Sequence, residues 1–268
     1  MIRLAWLLLI ATAIALAGAC GPAARAHADE ARQTVVIDPG HGGADLGARG
    51  ASGALEKELT LAVAKKLAKL LREQGTDVVL TRTTDLFVAL PERTEIANRA
   101  HAALFVSIHA NSAPEQDVAG AETYFLSLEA SDDEAMRVAM TENDVFKQEG
   151  TADEGRDLVG AILGDLIRTE HLRESSALAA LIQRQLARLP GASRGVKQAP
   201  FVVLTGVNMP AALVEIGFIT NPAEAERMGQ RDRQDAIAKA VAAAIGEAMM
   251  QNREARLATD EPPAEEKP

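Results

Sequence analysis

Residues 35–41 read Val-Val-Ile-Asp-Pro-Gly-His. Three β-branched residues make a short strand, the Asp-Pro-Gly turn stops it, and His41 is presented at its C-terminal edge. In an open α/β sheet that edge is where ligands bind. The glycines that follow, Gly42, Gly43, Gly47 and Gly50, leave room for close approach to the backbone. They spell neither a dinucleotide fingerprint nor a phosphate loop, because no helix opens at once and no Lys-Ser/Thr closes the run.

Outward from this strand the chain alternates. Leu59, Val63, Leu67, Leu70 and Leu71 recur at helical spacing, with Gly75 as a stop. Asp77–Arg82 reads as a strand, Pro91 opens a second helix through Ala100, and Ala103–Ile108 returns as a strand that ends in His109. Further strands are expected at Ala121–Ser127, Gln198–Leu204 and Ala211–Ile216. Residues 129–157 read as an acidic helix with a break around Gly150. A longer helical pattern covers Leu158–Leu189 with a break near His171, and the last helices start at Pro222 and Ala236. No internal repeat is present. Alternation of this kind predicts an α/β fold: one catalytic domain over residues 33–252, with a central, mostly parallel sheet flanked by helices and a helical insertion.

The ends differ in character. Arg3 precedes an apolar run, Leu4–Ala19, too short to span a bilayer, and small residues follow, so residues 1–28 read as a secretory signal peptide. Cleavage near His27 or Asp29 would leave no transmembrane segment and a secreted, periplasmic protein. A lipoprotein anchored through Cys20, the only cysteine, ranks second. Residues 253–268 read as a disordered acidic tail. The net charge of −10 excludes nucleic acid as a partner, since phosphate binding needs a concentrated basic face.

Of five histidines, His27, His101 and His171 are most simply structural or exposed. His41 and His109 both end strand-like runs. Two imidazoles and a carboxylate form a common open zinc site, and Glu56 at the start of the first helix is the candidate acid. Taken singly, a strand-end histidine is more often a hydrogen-bonded structural residue, and Glu56 alone is an acid favoured by the helix dipole. Glu215 ends the apolar strand of PAALVEIGFITNP, where a desolvated carboxylate needs a partner. Beside the histidines it reads as a general base, and without them as a water-exposed strand end.

VVIDPGHGG, the Glu56-Lys57 pair, LFVSIHANS and LVEIGFITNP follow one another in the order and approximate spacing of one family. From about Val35 to Met250 the chain resembles the zinc-dependent N-acetylmuramoyl-L-alanine amidases, cell-wall enzymes of daughter-cell separation. The resemblance implies His41, Glu56 and His109 as Zn2+ ligands and Glu215 as the catalytic carboxylate. It implies peptidoglycan as substrate, cut between the lactyl group of N-acetylmuramic acid and L-alanine of the stem peptide. Asn111 falls at a position that is acidic in some relatives, which makes it an auxiliary candidate at the metal. Many relatives also carry an N-terminal wall-binding domain, for which residues before Val35 leave no room. One Tyr, and one Trp that lies in the signal, offer few platforms for glycan.

Within the acidic segment, a helix over 133–147 would align Ala135, Ala139, Glu142 and Phe146. From the residues alone this face is only partly buried and Glu142 is solvated. The resemblance, carried by TEND at Thr141–Asp144, implies instead an autoinhibitory helix within 129–157 that places Glu142 on the metal until a protein activator displaces it. Two other classes compete with the amidase: a zinc peptidase acting on stem peptides, and a non-catalytic wall-binding regulator.

Overall fold

A computed structural model describes residues 33–50, 53–148 and 169–260. The elements in order are β1 (Thr34–Pro39), α1 (Glu56–Glu73), β2 (Asp77–Leu80), α2 (Leu90–Arg99), β3 (Leu104–Asn111) and β4 (Ala121–Leu126). They continue with α3 (Asp133–Gln148), α4 (Thr169–Leu186), β5 (Ser193–Ala199), a 3-10 turn (Val202–Leu204), β6 (Ala211–Phe218), α5 (Pro222–Gly229) and α6 (Arg231–Asp260). One six-stranded sheet has the order β2-β1-β3-β6-β4-β5. Every neighbouring pair is parallel except β4 with β6, so the expected mostly parallel α/β sheet is what forms.

Alternation along β3 explains the two layers. Leu104, Val106, Ile108 and Ala110 enter one core, where α1, α4 and α6 cover the sheet with an aliphatic face that includes Val63, Leu67, Ile182 and Val241. Phe105 enters the other, with Val36, Leu213, Tyr124, Phe201 and residues of α2 and α3. Toward the C-terminal ends of β1, β3 and β6 this second face turns polar: Asp38, Ser107, His109 and Glu215 are all buried there. β4 runs the other way and brings Glu122, from its N-terminal end, to the same edge.

Local chemistry accounts for the boundaries. Gly75 adopts a φ of 86° just past α1, a left-handed turn that glycine takes without a Cβ clash. Asn221 caps α5 by accepting the Glu224 amide N–H at 3.0 Å, and Pro222 supplies the first helical residue.

Three expectations need correction. The strand placed at Gln198–Leu204 lies earlier, at Ser193–Ala199. Pro200 lacks an N–H for the ladder and turns the chain into the 3-10 element, while Arg194, Gly195 and Lys197 hide the true strand behind an edge-like composition. The longer helix shows no break at His171: α4 runs from Thr169 through it to Leu186, and the part before Thr169 lies outside the described residues. Finally, α6 continues to Asp260, into the segment read as tail, because NREARLA holds good helix formers and no Gly or Pro. Residues 261–268, the signal segment and the break around Gly150 lie outside the described residues. Among the described residues, no helix is long and apolar enough to cross a membrane.

Candidate metal centre

The turn after β1 is built to hold His41. Its backbone φ is 60°, a left-handed value that histidine adopts more readily than most side chains. Arg93, buried on α2, donates to the His41 carbonyl at 2.9 Å, to Pro39 O at 2.8 Å and to Asp38 Oδ1 at 2.8 Å. Asp38 is itself fully buried and accepts from the Ser107 and Thr81 hydroxyls. Burial works against its charge, but the Arg93 guanidinium and the two hydroxyls prevail and hold the carboxyl below its ordinary range. Two glycines make room: a Cβ on Gly40 would lie 2.4 Å from the His109 ring, and one on Gly47 would lie 2.6 Å from His41 and 2.7 Å from Glu56.

Four donor groups converge in front of this turn. His41 Nε2 lies 3.1 Å from Glu56 Oε1 and 3.2 Å from Glu142 Oε2, and His109 Nδ1 lies 3.2 Å and 2.8 Å from the same two oxygens. All four groups are buried, and their donor atoms lie within 4.8 Å of one another. Further bonds fix two of the four groups. Glu56 accepts the Ala110 and Ala48 amide N–H groups at 2.9 and 2.8 Å, and Asp45 Oδ2 lies 2.9 Å from His41 Nδ1. A carboxylate behind a ligating imidazole is the usual way a metal site sets the ring's orientation.

Charge points the same way. Burial opposes charge on both imidazoles, but Glu56 and Glu142 outweigh it, so His41 is held well above its ordinary value and His109 is raised to about 10. Burial likewise opposes the Glu56 and Glu142 charges, and the histidines hold both carboxyls below the usual range. Two buried carboxylates thus call for two positive charges, from two protons or from one dication held by neutral imidazoles. His41 Nε2 and Glu142 Oε2 favour the dication: they lie 3.2 Å apart but neither makes a well-formed hydrogen bond, and a metal ion would satisfy both. A His2Glu donor set with one further carboxylate fits Zn2+.

Glu215 is fully buried and is the register partner of His109 across β3 and β6. Neither of its oxygens has a hydrogen-bond partner. Burial, reinforced by the nearby Glu142 charge, pushes its carboxyl well above the ordinary value. Asn111, the auxiliary candidate, is not one of the four converging groups: its Nδ2 donates to Glu122 Oε2 at 3.1 Å, and its Oδ1 accepts the Ser112 amide N–H.

Glu142 departs from the solvated position that its own sequence neighbourhood suggested. It is 9% exposed, because α3 lies over the polar edge with Ala135, Val138 and Ala139 against the sheet. Asn143 fastens the helix by donating to Pro200 O at 2.8 Å and accepting the Val202 N–H at 2.9 Å. Arg137 donates to Ser112 O at 3.0 Å. The side chain of Phe146 lies outside the described residues.

Asp45 and the Asp38–Arg93 pair were not singled out in the sequence. Asp45 sits within the glycine-rich run HGGADLG, where an acid four residues after a histidine was the available signal. Lys57, the sequence neighbour of Glu56, donates from its ammonium to Gly43 O and Asp85 Oδ2, each at 2.8 Å, and so braces the His41 loop.

The family model described as N-acetylmuramoyl-L-alanine amidase matches residues 35–247. The amidase AmiA of Salmonella typhimurium is 39% identical over 217 residues, which cover 80% of this chain and 75% of that protein. Among solved structures, the amidase AmiC2 of Nostoc punctiforme is similar with a TM-score of 0.63 and 32% identity, covering 81% of this chain and 97% of that one. The CwlD amidase of Clostridioides difficile, solved in complex with the GerS lipoprotein, gives a TM-score of 0.63 at 25% identity, covering 82% and 100%. With its catalytic sheet, its clustered histidines and glutamates and this breadth of match, the chain belongs to the N-acetylmuramoyl-L-alanine amidase family.

Proposed function

We propose that the protein is a zinc-dependent amidase that cuts the bond between the lactyl group of N-acetylmuramic acid and L-alanine of the stem peptide, and that α3 holds it inactive. The observation that carries this reading is the convergence of His41, Glu56, His109 and Glu142 within 4.8 Å, beside an unpartnered Glu215. His41 Nε2, His109 Nδ1 and a Glu56 oxygen would hold the ion. When bound, zinc supplies Lewis acidity, drawing charge from a carbonyl oxygen and making water acidic near neutral pH.

The protein's own groups do the rest. Glu215 takes a proton from the attacking water and passes it to the departing amine of L-alanine. Burial, with the Glu142 charge beside it, raises its affinity for that proton, which suits a carboxyl that must receive one and give it up in the same turnover. Asp45 holds the His41 ring, and Arg93 holds the backbone that carries it. Glu142 takes the place that water and substrate need, because a catalytic zinc site keeps one position open and a fourth protein ligand closes it. Withdrawing α3 would open that position and remove the Glu142 charge from beside Glu215.

Displacement needs a partner able to break the contacts of Asn143, Arg137 and Glu142. A protein activator fits this need, and the relative solved with a lipoprotein bound supports a protein partner. Export through residues 1–28 to the periplasm, and work in daughter-cell separation, complete the reading. A peptidase acting within stem peptides would leave muramyl-linked peptide behind. Digestion of purified sacculi with mass analysis of released peptides therefore tests the assignment: peptides with a free N-terminal L-alanine are expected, and internally cut peptides would overturn it.

A further inference from the structure

Glu122, at the start of β4, is fully buried and is the register partner of Glu215 on the side away from His109. Arg194 Nε and Lys197 Nζ lie 2.6 and 3.0 Å from its Oε1. Tyr124 and Asn111 donate to its Oε2 at 2.5 and 3.1 Å. One carboxylate that cannot leave therefore faces two cations, and one positive charge remains. That charge is answered by the covering helix: Glu134 Oε2 lies 2.5 Å from Arg194 and 3.1 Å from Lys197, and Asp132 Oδ2 lies 3.4 Å from Lys197. These acids differ in kind from Glu122, being 30% and 47% exposed. They also sit at the start of the helix that carries Glu142 into the metal centre.

We propose that Arg194 and Lys197 form a subsite for a carboxylate of the substrate's stem peptide, and that Glu134 and Asp132 stand in for that carboxylate while α3 covers the site. This rests on the amidase reading and on occlusion by Glu142. Geometry sets which carboxylate is read. Glu134 and Glu142 are eight residues apart on one helix, about 12 Å along its axis. An extended peptide covers about 12 Å in three or four residues. With the scissile amide at the metal, the acid falls about three residues into the stem. Arg194 is already aimed: Glu122 holds its Nε, its Nη2 is left for a second acid, and its guanidinium lies 5.4 Å from the Phe218 ring centroid. A planar guanidinium fixed in this way recognises a carboxylate with little further loss of freedom.

A purely structural role, keeping Glu122 paired, would not respond to a change made only in the substrate. The test therefore compares two synthetic muramyl tetrapeptides that differ only in whether the third residue's side-chain carboxyl is free or amidated, using full-length protein that carries Glu142→Ala together with Glu134→Gln and Asp132→Asn, so that no acid of α3 fills the subsite. KM is expected to be roughly tenfold higher for the amidated substrate with kcat nearly unchanged, the loss of one charge-assisted contact. Lys197→Gln in the same background leaves Arg194 paired with Glu122 and is expected to narrow the difference between the two KM values. Equal KM values in the parent, with both substrates cut at the muramoyl–alanine bond, would overturn the subsite and leave the amidase reading standing. Cleavage of neither substrate by folded, zinc-loaded protein would overturn both.

Discussion

Glu215 on β6 and His109 on β3 are register partners at the middle of the sheet, which puts a buried carboxylate without a hydrogen bond beside an imidazole of the four-group cluster. Parallel neighbours end at the same edge, so strand pairing alone delivers both groups to one place. If Glu215 is the base, Glu215→Gln keeps the shape and removes the basic oxygen. Zinc content is expected to stay at one per chain while turnover falls by about 100-fold or more. Loss of zinc in this variant, measured by elemental analysis after gel filtration, would make Glu215 a ligand instead.

The histidines can be separated by consequence. His41→Ala or His109→Ala is expected to lose both zinc and amide cleavage. His101→Asn should keep both, since His101 is exposed at a φ of 47°, where asparagine is also at ease. Asp45→Asn should weaken zinc binding by about 10- to 100-fold without unfolding the chain, because it loosens the His41 ring while an amide oxygen can still accept the Gly47 N–H. A competition titration against a chromophoric chelator measures each case.

Metal binding should be coupled to protons. Carboxylates hold both imidazoles in their charged form near neutral pH, and ligation needs them neutral. Zinc uptake is therefore expected to release about two protons per ion, and affinity to rise with pH. Calorimetry in buffers of different ionisation enthalpy reads the number directly, and uptake without proton release would contradict the charge balance.

Beneath the site, Asp38 and Arg93 form a fully buried pair. The Asp38 carboxyl is held below its unfolded value of about 3.9, so its contribution is complete above that pH and is lost as pH falls through the lower, folded value. Asp38→Asn leaves Arg93 buried without its counterion and is expected to cost about 3–5 kcal/mol. It should also flatten the acid limb of the stability curve. Urea melts between pH 3 and 7 check both, and an unchanged midpoint would show that the pair contributes nothing.

Much of this was legible along the chain. His41 and His109 stand out because each follows an apolar strand-like run, and Glu215 because it is a carboxylate in an otherwise apolar strand. Glu56 was visible as an acid opening a helix. What sequence order hides is contact between distant segments. Glu122, Arg194 and Lys197 gave no local signal, since the buried acid and its cations meet only after β4 and β5 pair. For the same reason β5 was displaced toward its apolar end, where Pro200 in fact terminates it. Glu142 looked solvated by its own neighbours, and its partners lie on β3 and after β1.

The central claim is a zinc amidase closed by its own Glu142, and one measurement meets it most directly. Purified sacculi are digested with the parent protein and with Glu142→Ala, with and without chelator, and the released peptides are counted by mass. The account predicts slow release by the parent and faster release by Glu142→Ala of peptides beginning with L-alanine, abolished by chelator and restored by zinc. A folded, zinc-loaded Glu142→Ala protein no faster than the parent, or release indifferent to chelator, would contradict it.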